Sequence, residues 1–117
     1  MDRYIKEALK TESQNFKNLD NEKMRLLHAG MGLSTESGEI LDNLKKAIFY
    51  NREIDRINLI EEMGDIFWYL AIMSNCLNIS FEDIMNKNIE KLKVRYGNKF
   101  DEQKSINRDL EKERNIF

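Results

Sequence analysis

Apolar positions recur with a helical period along most of the chain, and short polar links separate the periodic stretches. The first stretch runs from about Tyr4 to about Phe16, with Tyr4, Ile5, Ala8, Leu9 and Phe16 at its apolar positions. The second begins after Asp20, which suits an N-cap, and extends to about Tyr50. Gly30, Gly32 and Gly38 lie inside it and predict a kink or break near Gly30. A polar connection over 51–56 leads to a third helix, from about Ile57 to about Leu77. Ser80, with Asp83 three residues on, predicts a capping-box start for a fourth. That helix ends near Tyr96, with Gly97 as its C′ residue. Residues 98–117 are mostly polar and form a tail or arm, which packs on a neighbour or covers the site. The expected architecture is an all-α, four-helix-type bundle over 1–97 with a C-terminal polar tail over 98–117.

Wheel angles sort the side chains further. On the second helix Arg25, Ala29, Gly32, Glu36, Glu39, Asn43 and Ala47 share a stripe. Leu26, Leu33, Leu41, Leu44 and Ile48 lie to one side of it. On the third, Glu62, Asp65, Tyr69 and Met73 share a stripe, flanked by Ile60, Met63, Phe67, Leu70 and Leu77. Trp68, Ala71 and Ile72 cover much of the opposite side, so this helix is apolar nearly all round. A short chain has little surface with which to surround such a helix. Association into an oligomer is therefore expected, with Gly64, Trp68 and Ala71 facing a second subunit.

Composition narrows the class. The chain has 117 residues, no proline and five glycines, which favours long helices over a many-stranded sheet. Charged residues make up 34%, yet the net charge is only -2, so nothing electrostatic points to a nucleic-acid polymer or a membrane surface. No apolar run is long enough to span a bilayer, and the charged N-terminus is unlike a signal peptide. A single cysteine, Cys76, excludes an intramolecular disulfide framework and suits a cytoplasmic protein.

Two acidic pairs carry the candidate chemistry: Glu36-Ser-Gly-Glu39 and Glu62-Met-Gly-Asp65. Their i, i+3 spacing sets each pair on one helix face, one turn apart. Either pair alone reads as solvated helix surface. Both together, each beside apolar positions on helices joined by a short connection, would face one another across an antiparallel pair. Carboxylates so gathered repel strongly, and hard divalent cations remove the penalty. Oxygen-rich sites of this kind suit Mg²⁺, with Mn²⁺ as a substitute. On the fourth helix Asn88, Lys91 and Arg95 make a polar stripe. Its cations would bind phosphate oxygens that the metal does not reach, which points to hydrolysis of a phosphoanhydride. Ala29 and Gly32, small and on the Glu36 stripe, would leave room for a ligand. His28 is either a structural residue or a base contact, and Tyr69 either packs or meets the ligand.

Three segments together resemble the MazG-like nucleotide pyrophosphohydrolases of the all-α NTP pyrophosphatase superfamily. They are Gly32-Leu-Ser-Thr-Glu36-Ser-Gly-Glu39, Glu61-Glu-Met-Gly-Asp65-Ile-Phe-Trp-Tyr-Leu70 and Asn88-Ile-Glu-Lys91-Leu-Lys-Val-Arg95-Tyr96. The family pattern is ExxE, a spacer and ExxD, and here the spacer is the 22 residues from 40 to 61. The resemblance covers about Leu26 to Tyr96. It implies that a nucleoside triphosphate and water give the monophosphate and pyrophosphate with Mg²⁺. It further implies that Glu36, Glu39, Glu62 and Asp65 are catalytic metal ligands, with Glu36 also orienting or deprotonating water. Lys91 and Arg95 would hold phosphates, Asn88 phosphate or sugar, and Tyr69 the sugar or base. The family's bundle is commonly a dimer or a dimer of dimers, so a homodimer or homotetramer is expected. A non-catalytic helical module that binds nucleotide or a partner is the alternative from another class. A carboxylate-bridged di-iron bundle is disfavoured, because His28 is not three residues after a glutamate.

Overall fold

Side-chain caps decide where several helices begin. Asp55 accepts a hydrogen bond from the Asn58 backbone N–H at 3.0 Å, and Ser80 accepts one from that of Asp83 at 3.1 Å. Each satisfies a donor that the first helical turn leaves free. In the computed structural model, which describes residues 2–13 and 21–117, all regular elements among those residues are helical. They are α1 (Arg3–Leu9), α2 (Asn21–Phe49), α3 (Arg56–Cys76), α4 (Phe81–Tyr96), α5 (Glu102–Ile106) and α6 (Leu110–Arg114). Phe16 and Asp20, expected at the end of the first helix and the cap of the second, lie outside the described residues. Gly97 closes α4 with φ of 69°, a left-handed conformation that glycine adopts at no steric cost.

The first compact unit, Met1–Asn78, is built on α2 and α3. Their contacts run antiparallel. Arg25 meets Asn75, Gly32 meets Tyr69, and Asn43 meets Asn58 and the Asp55 carbonyl. α2 is continuous over its 29 residues, so the break expected at Gly30 does not occur. A helix absorbs an isolated glycine at a cost of only ~1 kcal/mol, which packing against α3 outweighs.

α1 packs on α3. The Tyr4 hydroxyl donates to the Gly64 carbonyl at 3.3 Å, and Trp68 Nε1 donates to Thr11 Oγ1 at 2.7 Å. The Gly64–Trp68 side of α3, expected at a subunit interface, is therefore engaged by its own chain. Ala71 is fully buried, as are Ile5, Ala29 and Ile72. Just beyond α1 the Glu12 carboxylate is buried and takes two hydrogen bonds from Arg25, whose Nη2 also donates to Asn75 Oδ1 at 2.8 Å. One guanidinium thus ties the segment after α1 to both long helices.

The second unit, Ile79–Phe117, is α4 with the two short helices of the tail. Lys87 Nζ donates to the Ile116 carbonyl at 3.0 Å, and Lys104 Nζ to that of Tyr96 at 3.2 Å. The tail folds against α4 of its own chain through these bonds and through Glu113, which is buried and paired with Arg95 and Arg108.

Gly32 is the glycine that packing requires. A Cβ built there would collide with the Tyr69 ring, whereas one at Gly30 would meet nothing within 4 Å. Gly30→Ala is expected to raise stability by about 0.5–1 kcal/mol through helix propensity. Gly32→Ala is expected to lower it by about 1–3 kcal/mol despite the same propensity gain, because the core is overpacked. Urea midpoints check both, and Tyr69→Ala should cancel most of the Gly32→Ala penalty.

Candidate metal centre

Glu36 and Glu39 stand on α2, one turn apart, and Glu62 and Asp65 on α3, with the same spacing. The antiparallel register brings Glu36, Glu62 and Asp65 together, with one carboxylate oxygen of each within 4.8 Å of the others. Glu39 is not among those three. It lines a neighbouring polar pocket of ≈ 410 Å³ with Asn43, Lys46, Arg52 and Asn58. Its charge still reaches Glu36.

Like charges so placed cannot all remain ionised without a counter-ion. Glu36 absorbs the conflict: its carboxyl is pushed up to about 7. The largest cause is the hydrogen bond shared with Glu62, followed by burial and then the charges of Asp65, Glu62 and Glu39. Glu62 is held from its other side by amides. Asn58 Nδ2 donates to Glu62 Oε1 at 3.1 Å, and Asn43 Nδ2 donates to Asn58 Oδ1 at 2.9 Å and to the Asp55 carbonyl at 3.0 Å. Such an outer relay fixes the orientation of a ligand carboxylate.

A pocket of ≈ 360 Å³ opens beside the cluster, lined by Glu36, Asp65, Trp68 and Tyr69. His28 stands edge-on to Tyr69 at 5.7 Å and to Trp68 at 6.2 Å between ring centroids, and those two rings are 5.1 Å apart. The space at Gly32 is filled by the Tyr69 ring and Ala29 is fully buried. The small residues of α2 therefore serve helix packing, not the ligand room expected of them. Trp68, expected at a subunit interface, lines this pocket within the single chain. Tyr4 reaches the same region from α1. Burial raises its phenol first, and the Asp65 charge adds to the shift.

Asn88, Lys91 and Arg95 lie on α4 in the second unit. Arg95 donates through Nε and Nη2 to Glu113 Oε1 at 3.0 and 2.8 Å. Wheel positions anticipated the acidic cluster. The Asn58 relay was missed, although Asn58 is one turn before Glu62 and shares its face.

The donor set of the cluster fits a hard divalent cation. It is all carboxylate oxygen, without imidazole or thiolate, and its own repulsion keeps a proton that a cation would displace.

An all-helical fold with acidic pairs opposed across two antiparallel helices defines the class of protein. Residues 27–100 match the MazG nucleotide pyrophosphohydrolase domain, and the chain belongs to that family. It is similar to the Gene 37 protein of Mycobacterium phage L5, with 32% identity over 74 residues, 60% of this chain and 65% of that protein. The chain thus spans less than two thirds of that relative's length. No solved structure matches the chain.

Stability of the metal-free protein follows from the sign of the Glu36 shift. Between the ordinary carboxylate value and about 7 the folded state binds more protons than the unfolded state. Stability is therefore full below the ordinary value and falls as pH rises toward about 7. In EDTA, the melting temperature is expected to be higher at about pH 5 than at about pH 8, with Glu36→Gln removing most of the difference. Saturating Mg²⁺ should restore stability at the higher pH, with proton release measurable by calorimetry in buffers of different ionisation enthalpy.

Proposed function

We propose that the protein is a Mg²⁺-dependent nucleoside triphosphate pyrophosphohydrolase. It converts an NTP or dNTP to the monophosphate and pyrophosphate, with Mn²⁺ as a substitute ion. Its role is the clearing or adjustment of a nucleotide pool in the cytoplasm. The observation that carries this reading is the convergence of Glu36, Glu62 and Asp65 from two helices, with Glu36 pushed up to about 7. Membership of the MazG family supports the reaction class.

In this reading Glu36, Glu39, Glu62 and Asp65 hold the cation. The bound cation would polarise phosphate oxygens and offset the charge of the carboxylates. Glu36 orients the attacking water and takes its proton as the water oxygen bonds to the α phosphorus. The bridge between the α and β phosphates breaks, and pyrophosphate departs. Lys91 and Arg95 bind phosphate oxygens, and Asn88 binds phosphate or sugar. Tyr69, braced against Gly32, and His28 beside it form the sugar and base wall together with Trp68.

The active form is a homodimer or homotetramer. Ile57, Ile60 and Met63 of α3 and Leu41 and Ile48 of α2 are exposed in the single chain. Apolar surface of that extent supports burial against a second copy. No helix among the described residues is long and apolar enough to cross a membrane.

Product identification across canonical and modified NTPs and dNTPs, with Mg²⁺ and with EDTA, tests the reaction. Metal-dependent release of pyrophosphate and monophosphate is expected. Glu62→Gln and Asp65→Asn should each lower kcat by at least about a hundredfold with helicity intact, the scale of losing an electrostatic catalytic group. Nucleotide binding without turnover by the folded, Mg²⁺-loaded protein would instead favour the non-catalytic binding module.

A further inference from the structure

The tail holds a feature that a simple structural bridge does not require. Glu113 is 3% exposed, and no other residue of α4, α5 or α6 is buried. Two guanidinium groups meet its single carboxylate. Arg95 donates from Nε and Nη2 to Oε1, and Arg108 donates from Nε to Oε2 at 3.0 Å and from Nη2 to Oε1 at 3.4 Å. A buried carboxylate is neutralised by one arginine. Here two positive charges face one negative charge, leaving a surplus of one.

The surplus is visible in a neighbour. The Tyr96 phenol is held below its ordinary range, first by hydrogen bonding with Ser105 and Arg95, then by the charges of Arg95 and Arg108. Lys91 stands one turn before Arg95 on α4. Asp109 and Asp101 are engaged as helix caps: Asp109 accepts from the Lys112 N–H and Asp101 from those of Gln103 and Lys104. Arg108 presents its Nε edge to Glu113, its side chain is 37% exposed, and its Nη1 amine has no hydrogen-bond partner among the described residues. A guanidinium held on one edge and open on the other is oriented for a second anion.

We propose that Arg95, Glu113 and Arg108 form a preorganised polyphosphate-binding cluster, in which Arg108 contacts phosphate and Glu113 positions both guanidinium groups. This assignment rests on the reading that Arg95 meets the phosphates of a nucleotide. The tail is then part of the substrate-binding apparatus: Glu113 is a positioning residue and Arg108 a binding residue.

The test uses the full chain and two readouts. The first is calorimetric binding of inorganic tripolyphosphate in EDTA, which probes the cationic cluster without metal. Arg108→Ala is expected to weaken it by about tenfold or more, the loss of a charge-assisted hydrogen bond, and Arg108→Lys to recover part of it. Glu113→Gln separates positioning from charge. A counter-charge alone predicts tighter binding when the negative charge is removed, and positioning predicts weaker binding. The second readout is turnover of the best nucleotide with Mg²⁺, where Arg108→Ala should raise KM with kcat changed less than about twofold. Arg108 is exposed, so its variants test the cluster even where Glu113→Gln fails to fold. Unaltered tripolyphosphate affinity in Arg108→Ala, or none in the parent protein, overturns the cluster. Weakened binding by Arg108→Ala in a protein that hydrolyses no nucleotide upholds the cluster and removes the enzymatic reading. Normal hydrolysis with unaltered binding does the reverse.

Discussion

The close approach of Gly32 to Tyr69 is the constraint on which the acidic centre depends. No side chain larger than hydrogen fits at position 32 while the Tyr69 ring keeps its place. The contact therefore locks one register of α2 against α3. Gly32 is one turn before Glu36, and Tyr69 is one turn after Asp65. Seating the ring on the glycine thus sets Glu36 opposite Asp65 by helix geometry alone. Above and below, Arg25 to Asn75 and Asn43 to Asn58 continue the same register with hydrogen bonds. The pairing is apolar and steric where it must be tight, and polar where the helices face water.

That register sets packing against electrostatics. Burial of apolar residues between the helices holds three carboxylates at distances where they repel. Packing wins, and the conflict is relieved locally by a proton that Glu36 shares with Glu62. The arrangement is stiff because the partners are themselves held: Asn43 restrains Asn58, Asn58 restrains Glu62, and Glu62 accepts from Glu36. A proton is a poor substitute for a doubly charged ion at such a place, since it cancels one charge and leaves the others unbalanced. The chemistry of the three carboxylates fits a hard divalent cation better than a proton.

Much of this was legible in the residues. Period located α3, and capping at Ser80 and Gly97 located α4, each to within a residue. The i, i+3 carboxylate pairs announced which helix faces oppose. Two readings failed for one shared reason, that pairwise packing does not appear in a single helix's pattern. Gly30 looked like a break, but propensity is weak beside the long contact of α2 with α3. Gly32 looked like room for a ligand, but the room belongs to Tyr69. Trp68 was read as a subunit contact; within its own chain the N–H of its ring is bonded to Thr11 and the residue lines the pocket. The tail was illegible for another reason. Its two five-residue helices have little apolar periodicity, and charge pairing at Glu113 holds them against α4.

The two compact units build opposite electrostatic characters by the same device. In the first, three carboxylates are gathered, and a proton on Glu36 offsets only one of their charges. In the second, two arginines are gathered on one carboxylate, and the surplus is positive. Neither is the arrangement that stability alone would select: one fewer carboxylate would ease the first, and one fewer arginine would balance the second. Each imbalance is a property of its own unit: the first gathers negative charge and the second positive charge.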